Sequence, residues 1–147
     1  LHRSTKTNDT EWKLDSVWSA RKTSHQAIHI ENNIPFIKLI FPFKEKVTWD
    51  GNRLNTLEEE LYIMENINQP LDINNQSFDK TVTIIQKDNQ DSIIFLERRK
   101  EIYAHNVGLI YKESASIKYC AQVHCIGKNI IDSGVLFKQT ILESGKD

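Results

Sequence analysis

Short runs in which apolar and polar residues alternate, each closed by polar turn residues, recur along the chain. Alternation with a period of two is the pattern of a half-buried strand. It predicts strands over Trp12 to Ala20 and Gln26 to Glu31, parted by the polar Arg21-Lys22-Thr23-Ser24. Asn32-Asn33 reads as a turn, because Asn tolerates positive φ and bonds its own backbone. Ile34 to Phe41 follows as an apolar strand, and Pro35 and Pro42 suit the ends or edge of a sheet. Trp49-Asp50-Gly51-Asn52 carries turn chemistry.

Two readings compete from Asn55 to Asn66. Thr56 with Glu59 fits a capping box, and Leu57, Leu61 and Met64 fall at helical spacing. Residues 59–66 also alternate as a strand would, and the polar Asp72-Ile73-Asn74-Asn75-Gln76 closes the segment as a turn, which favours strand. Further strands are expected over Thr81 to Gln86, Ser92 to Ala104, Val107 to Glu113, Ile117 to Val123 and Gly134 to Glu143, with a turn over Lys87 to Asp91. The expected fold is mainly β: a single-domain antiparallel meander, a curved sheet or barrel-like, with at most one or two short helices. Residues 1–11 are polar at the start and read as a tether, and residues 12–147 as one domain.

Composition supports the pattern. The chain of 147 residues holds 19 Ile and 9 Thr against 5 Ala and 11 Leu. β-Branched side chains lose rotamer freedom in a helix and pack well on a sheet. The net charge of -1 removes the electrostatic footprint expected of a nucleic-acid binder. No run approaches the roughly 18 apolar residues of a membrane span.

Candidate chemistry is sparse. Cys120 and Cys125 stand five apart in Tyr119-Cys120-Ala121-Gln122-Val123-His124-Cys125 and read as a local disulfide in an oxidising compartment, ahead of free buried thiols. A loop this short should add at most roughly 2 kcal/mol. Zinc on Cys120, His124 and Cys125, with His25 or His29 as fourth ligand, is the lesser reading, since the spacing fits no common zinc signature. His25 and His29 share a face but are only a pair; His2 and His105 fall in a polar tail and at a turn. No Gly-x-Ser-x-Gly elbow or Gly-rich phosphate loop is present, and Ser133-Gly134 and Ser144-Gly145 read as turns. Glu58-Glu59-Glu60 reads as a solvated face, and Arg98-Arg99-Lys100, balanced by Glu97 and Glu101, as a solvated strand edge. Trp12, Trp18, Trp49 and Phe41, with Phe36 and Phe43, could line a pocket for an apolar ligand, although core is the simpler role.

Three segments together resemble a known group: Trp49-Asp50-Gly51-Asn52; Glu101-Ile102-Tyr103-Ala104-His105-Asn106-Val107-Gly108-Leu109-Ile110-Tyr111-Lys112-Glu113; and Cys120 to Cys125 leading to Ser133-Gly134 and Ser144-Gly145-Lys146. The set is similar to an uncharacterised lipoprotein family of Bacteroidetes. The resemblance covers about two-thirds of the chain, from Phe41 onward. It implies export to the periplasm, a lipid anchor upstream of Leu1 tying the protein to the outer membrane, and no catalytic residues. In the middle segment, Gly108 would allow close approach, Asn106 a left-handed turn, and Tyr103 and Tyr111 would pack across the pair.

The leading functional expectation is therefore a non-catalytic soluble domain of an exported envelope protein. It would bind an apolar small molecule or an envelope protein on its sheet, without cofactor or nucleic acid, and meet the membrane only through its anchor. The alternative is a hydrolase or metal-dependent enzyme using His25, His29 or His124 with nearby carboxylates. Convergence of those groups in a cleft would favour the enzyme, and an exposed apolar patch would favour a protein partner.

Overall fold

A computed structural model describes residues 2–8, 10–89 and 93–145. Its described residues form eleven strands and no helix, and every strand pairing resolved in register is antiparallel. The chain divides into two units, Leu1–Phe43 with Trp49–Glu60, and Lys44–Thr48 with Leu61–Asp147.

The first unit opens on a two-stranded ribbon, β1 (His2–Lys6) with β2 (Trp12–Val17). The stretch expected as a tether thus holds a strand, in which backbone pairing substitutes for apolar burial. β3 (Ser19–Lys22), β4 (Gln26–Glu31) and β5 (Ile34–Ile40) form a three-stranded sheet in that order. The run expected from Trp12 to Ala20 is broken at Trp18, where the chain leaves the ribbon for the sheet. Asn32 and Asn33 both take positive φ, 51° and 64°, between the paired Glu31 and Ile34. That is the two-residue turn whose twist matches the strands it joins.

β6 (Thr48–Asp50) carries the chain between the units. Trp49 is buried and its indole N–H donates to the Ile37 carbonyl at 2.8 Å. The helix considered beyond it does not form. Asp50 Oδ1 accepts from the backbone N–H groups of Asn52 and Glu60, Asn52 Nδ2 donates to the Glu58 carbonyl, and Asn55 Oδ1 accepts from Leu57 N–H. Asx side chains offer the backbone these local partners in place of helical ones.

The second unit holds β7 (Leu61–Ile73), β8 (Gln76–Asn89), β9 (Phe95–Ala104), β10 (Gly108–Tyr119) and β11 (Ile131–Thr140). The sheet order β11-β10-β9-β8-β7-β6 is linear and does not close into a barrel. The contested segment is strand, but only from Leu61. The β7–β8 turn narrows to Asn74-Asn75, both at positive φ. β8 runs on to Asn89 through residues expected as turn, and Asp91 and Ser92 lie outside the described residues. The expected strands Val107 to Glu113 and Ile117 to Val123 merge into one β10 that starts at Gly108 and ends at Tyr119, so Cys120 to Val123 fall in the connection that follows and not in a strand. Its polar middle, Ser114-Ala115-Ser116, is paired on both sides, with Arg99, Arg98 and Glu97 of β9 and with Phe137, Leu136 and Val135 of β11. Small side chains there leave room for long neighbours.

At one end of the sheet Phe78, Ala104 and Ile110 form a buried cluster with Leu71, Ile73, Ile102 and Ile141 packed against it. The β7–β8 hairpin reaches the last residue of β11 and the chain just after it at this end. Asn74 Nδ2 donates to Thr140 Oγ1 and to the Ile141 carbonyl, both at 2.9 Å, and Gln76 Nε2 to the Leu142 carbonyl at 2.6 Å. Gly108 has open space where a Cβ would stand, so its φ of 104° accounts for it and close approach does not.

Candidate functional site

Cross-strand register builds a charged brace through β9 and β10. Lys112 stands opposite Glu101, and Glu113 opposite Lys100. Neighbouring positions on a strand face opposite sides, so one carboxylate lies on each face of the sheet. On one face Glu101, almost wholly buried, accepts from Tyr103 Oη at 2.6 Å and pairs with Lys112 Nζ at 3.5 Å. On the other, Glu113 accepts from Arg98 Nε at 2.8 Å and Arg98 Nη2 at 2.6 Å. Its second oxygen accepts from Tyr111 Oη at 2.5 Å, with Lys100 Nζ at 3.9 Å. Charged donors make these the stronger kind of hydrogen bond.

Burial raises the Glu113 pKa, but the bonds from Tyr111 and Arg98 and the charges of Arg98 and Lys100 outweigh it, leaving the carboxyl below its ordinary value. Burial, then the bond to Glu113, pushes the Tyr111 hydroxyl up to about 12. Both groups are held in one protonation state near neutrality, which suits a brace and does not suit proton transfer. The run Arg98-Arg99-Lys100 is accordingly on an interior strand and not on the edge expected of it. A signal for the brace does exist in the sequence. Glu101-Ile102-Tyr103 and Tyr111-Lys112-Glu113 mirror each other about the Asn106 turn. Tyr103 and Tyr111 do not pack across the pair, since Tyr103 stands opposite Leu109 and Tyr111 opposite Ile102.

β10 carries this brace up to the last strand, and β11 is exposed at every position. Val135, Leu136 and Phe137 are 68%, 55% and 42% exposed in the middle of it. Ile141 N–H donates to the Ile110 carbonyl at 2.9 Å, which fixes the direction of the ladder. Backbone polar groups alternate between the two edges of a strand. Ser133, Val135, Phe137 and Gln139 therefore turn theirs toward β10, and Gly134, Leu136 and Lys138 turn theirs outward, where no strand lies among the described residues. Gly134 is not a turn residue. It sits within β11 at φ 151°, and a Cβ there would stand 2.5 Å from the Ser116 carbonyl oxygen.

The β10–β11 connection is stapled by the Cys120–Cys125 disulfide, with Cα atoms 5.8 Å apart. Cys120 N–H donates to the Ile130 carbonyl at 2.7 Å and Cys125 N–H to the Gln122 carbonyl at 3.0 Å, while Val123 stands almost fully exposed. His124 Nδ1 or Nε2 and the two sulfurs lie within 4.8 Å of one another. The sulfurs are bonded to each other, which leaves His124 as the free donor of the three.

The other histidines have separate surroundings. His25 is exposed, with Nδ1 at 2.8 Å from Ser24 Oγ. His29 Nδ1 pairs with Glu31 Oε1 at 3.1 Å, and Lys38 Nζ lies 3.6 Å from the same oxygen. Trp18 meets the His29 ring edge-to-face at 5.0 Å. His25 and His29 belong to the first unit and His124 to the second. The aromatic candidates scatter likewise. Trp12 is 67% exposed, Trp49 is core, and Phe41 stacks on Phe43 at 5.4 Å. An open cleft of about 310 Å³ is lined by Ser77, Asp79, Lys80, His105 and Val107 beside Phe78 and Ala104, and includes none of those aromatics. No family model, curated protein or solved structure matches the chain.

Proposed function

We propose that the chain is a non-catalytic binding module of an exported, lipid-anchored envelope protein, and that it takes up a partner strand on the free edge of β11. The observation that carries this is the long exposed edge itself. A protein that stays alone protects such an edge with charges, prolines or a covering element. Here Leu136 occupies its centre and Val135 and Phe137 flank it. Strand addition supplies main-chain hydrogen bonds for affinity and alternate side chains for specificity. The brace behind the edge gives it a fixed platform, since Glu113 and its partners tie β10 to β9. Export is supported by the disulfide, which belongs to an oxidising compartment, and by the resemblance to Bacteroidetes lipoproteins. Among the described residues no helix is long and apolar enough to cross a membrane.

The test places a photo-reactive amino acid at Leu136 and, as control, at the exposed Leu57 in separate variants. A discrete cross-linked product from position 136 and none from position 57 supports the edge as the binding site. No product from position 136 sinks the reading.

A further inference from the structure

We infer that the strand taken up by this edge is β11 of a second copy of the chain, paired antiparallel about a twofold axis passing through Leu136. The inference rests on the reading of β11 as the binding edge and names its occupant. Two copies offer the same edge, so outward-facing residues must oppose outward-facing residues, and half of all registers are excluded. Of those that remain, the one centred on Leu136 opposes Leu136 to its own copy, Val135 to Phe137 of the second copy, and Gly134 to Lys138 of the second copy. The whole exposed apolar group then meets itself, and the outward backbone groups of Gly134, Leu136 and Lys138 are all satisfied. Aromatic and β-branched residues directly opposed across strands are among the favourable pairs.

The adjacent registers are poorer. Centring on Phe137 sets Leu136 against Lys138. Centring on Val135 sets Leu136 against Gly134 and runs the ladder into the irregularity at Asp132, where Lys118 pairs with Ser133 and Tyr119 with Ile131. Charge agrees with the choice. β11 carries one acid and one base, Asp132 and Lys138, so no like charges oppose. Lys138 faces a glycine, which leaves its ammonium free to lean diagonally toward Asp132 of the second copy.

Sedimentation equilibrium on the purified chain should show a concentration-dependent dimer. Leu136→Lys sets two ammonium groups against each other at the axis and should abolish the dimer, while an unchanged thermal melt by circular dichroism shows the fold intact. Chains carrying Val135→Cys and chains carrying Phe137→Cys should cross-link with each other on mild oxidation, and neither should cross-link with itself. A monomer at every concentration, a dimer that survives Leu136→Lys, or self-cross-linking of either cysteine variant would overturn the inference. The photo-reactive probe at position 136 separates the two levels. A product of another mass with a monomeric chain leaves the edge reading standing and removes the second copy, whereas no product removes both.

Discussion

Asparagine does most of the turning in this chain. Among the described residues, every non-glycine residue at positive φ except Lys46 is Asn: residues 32, 33, 66, 68, 74, 75, 106 and 129. The side chain of Asn relieves much of the cost that left-handed backbone carries for other L-residues, roughly 1–2 kcal/mol. Asn33→Ala or Asn75→Ala should therefore lower the urea-unfolding free energy by about 1 kcal/mol, and glycine at either position should be nearly neutral. The Glu113 brace is the other residue-scale device, and its pH dependence follows from two opposite shifts. The Glu113 pKa is lower in the fold than its ordinary 4.5, so its stabilisation is present above that pH and fades as pH falls through the depressed value. Tyr111 rises from 10.0 to about 12, so its contribution is present below pH 10.0 and is lost as pH climbs toward 12. Unfolding midpoints measured against pH should fall at both ends. Tyr111→Phe should remove the alkaline limb specific to this group and cost about 1 kcal/mol at neutral pH, the net worth of a hydrogen bond.

Strands and turns were legible where one short segment decided them. β4 matches its alternation from Gln26 to Glu31, and Asn32-Asn33 announces its turn. The disulfide pair was legible from its spacing, on the expectation of an oxidising compartment. What stayed hidden depends on neighbours distant in sequence. Ser114-Ala115-Ser116 looks like a break until the strands on both sides of it are known. Arg98 and Lys100 look solvated until Glu113 is placed beside them. Ser133-Gly134 looks like a turn because glycine serves both turns and crowded strands. The crowding is testable. Gly134→Ala drives a methyl into the Ser116 carbonyl at a φ that L-residues avoid, and should destabilise the chain by roughly 1–3 kcal/mol in chemical denaturation. Cys120→Ser with Cys125→Ser should cost at most about 2 kcal/mol, because so short a loop constrains little of the unfolded chain.

The two ends of the larger sheet are unequal, and that inequality decides how far association can go. β11 is ten residues long and β6 is three. Pairing of β11 with a second β11 consumes the same edge on both copies, so an assembly built on that contact closes at two. A head-to-tail arrangement, which would propagate into fibres, would have to pair β11 with a different edge, and the three-residue β6 at the far end of its own sheet is too short to template it. The chain is also close to neutral, with a net charge of -1 and a pI of about 6.6, so bulk repulsion does little to hold copies apart near neutral pH. The matched surface is apolar at its centre, and its two charges pair only at the rim. Raising salt from about one-tenth molar to about one molar shortens the screening length from roughly 10 Å to 3 Å. That should weaken the rim contribution while leaving the Val135, Leu136 and Phe137 contacts intact, so the dissociation constant should move by less than about tenfold across the range. A sedimentation series against salt distinguishes this from an assembly held by charge, which would come apart over the same interval. It should resolve monomer and dimer alone at every concentration, because the edge that drives association is used up when two copies meet.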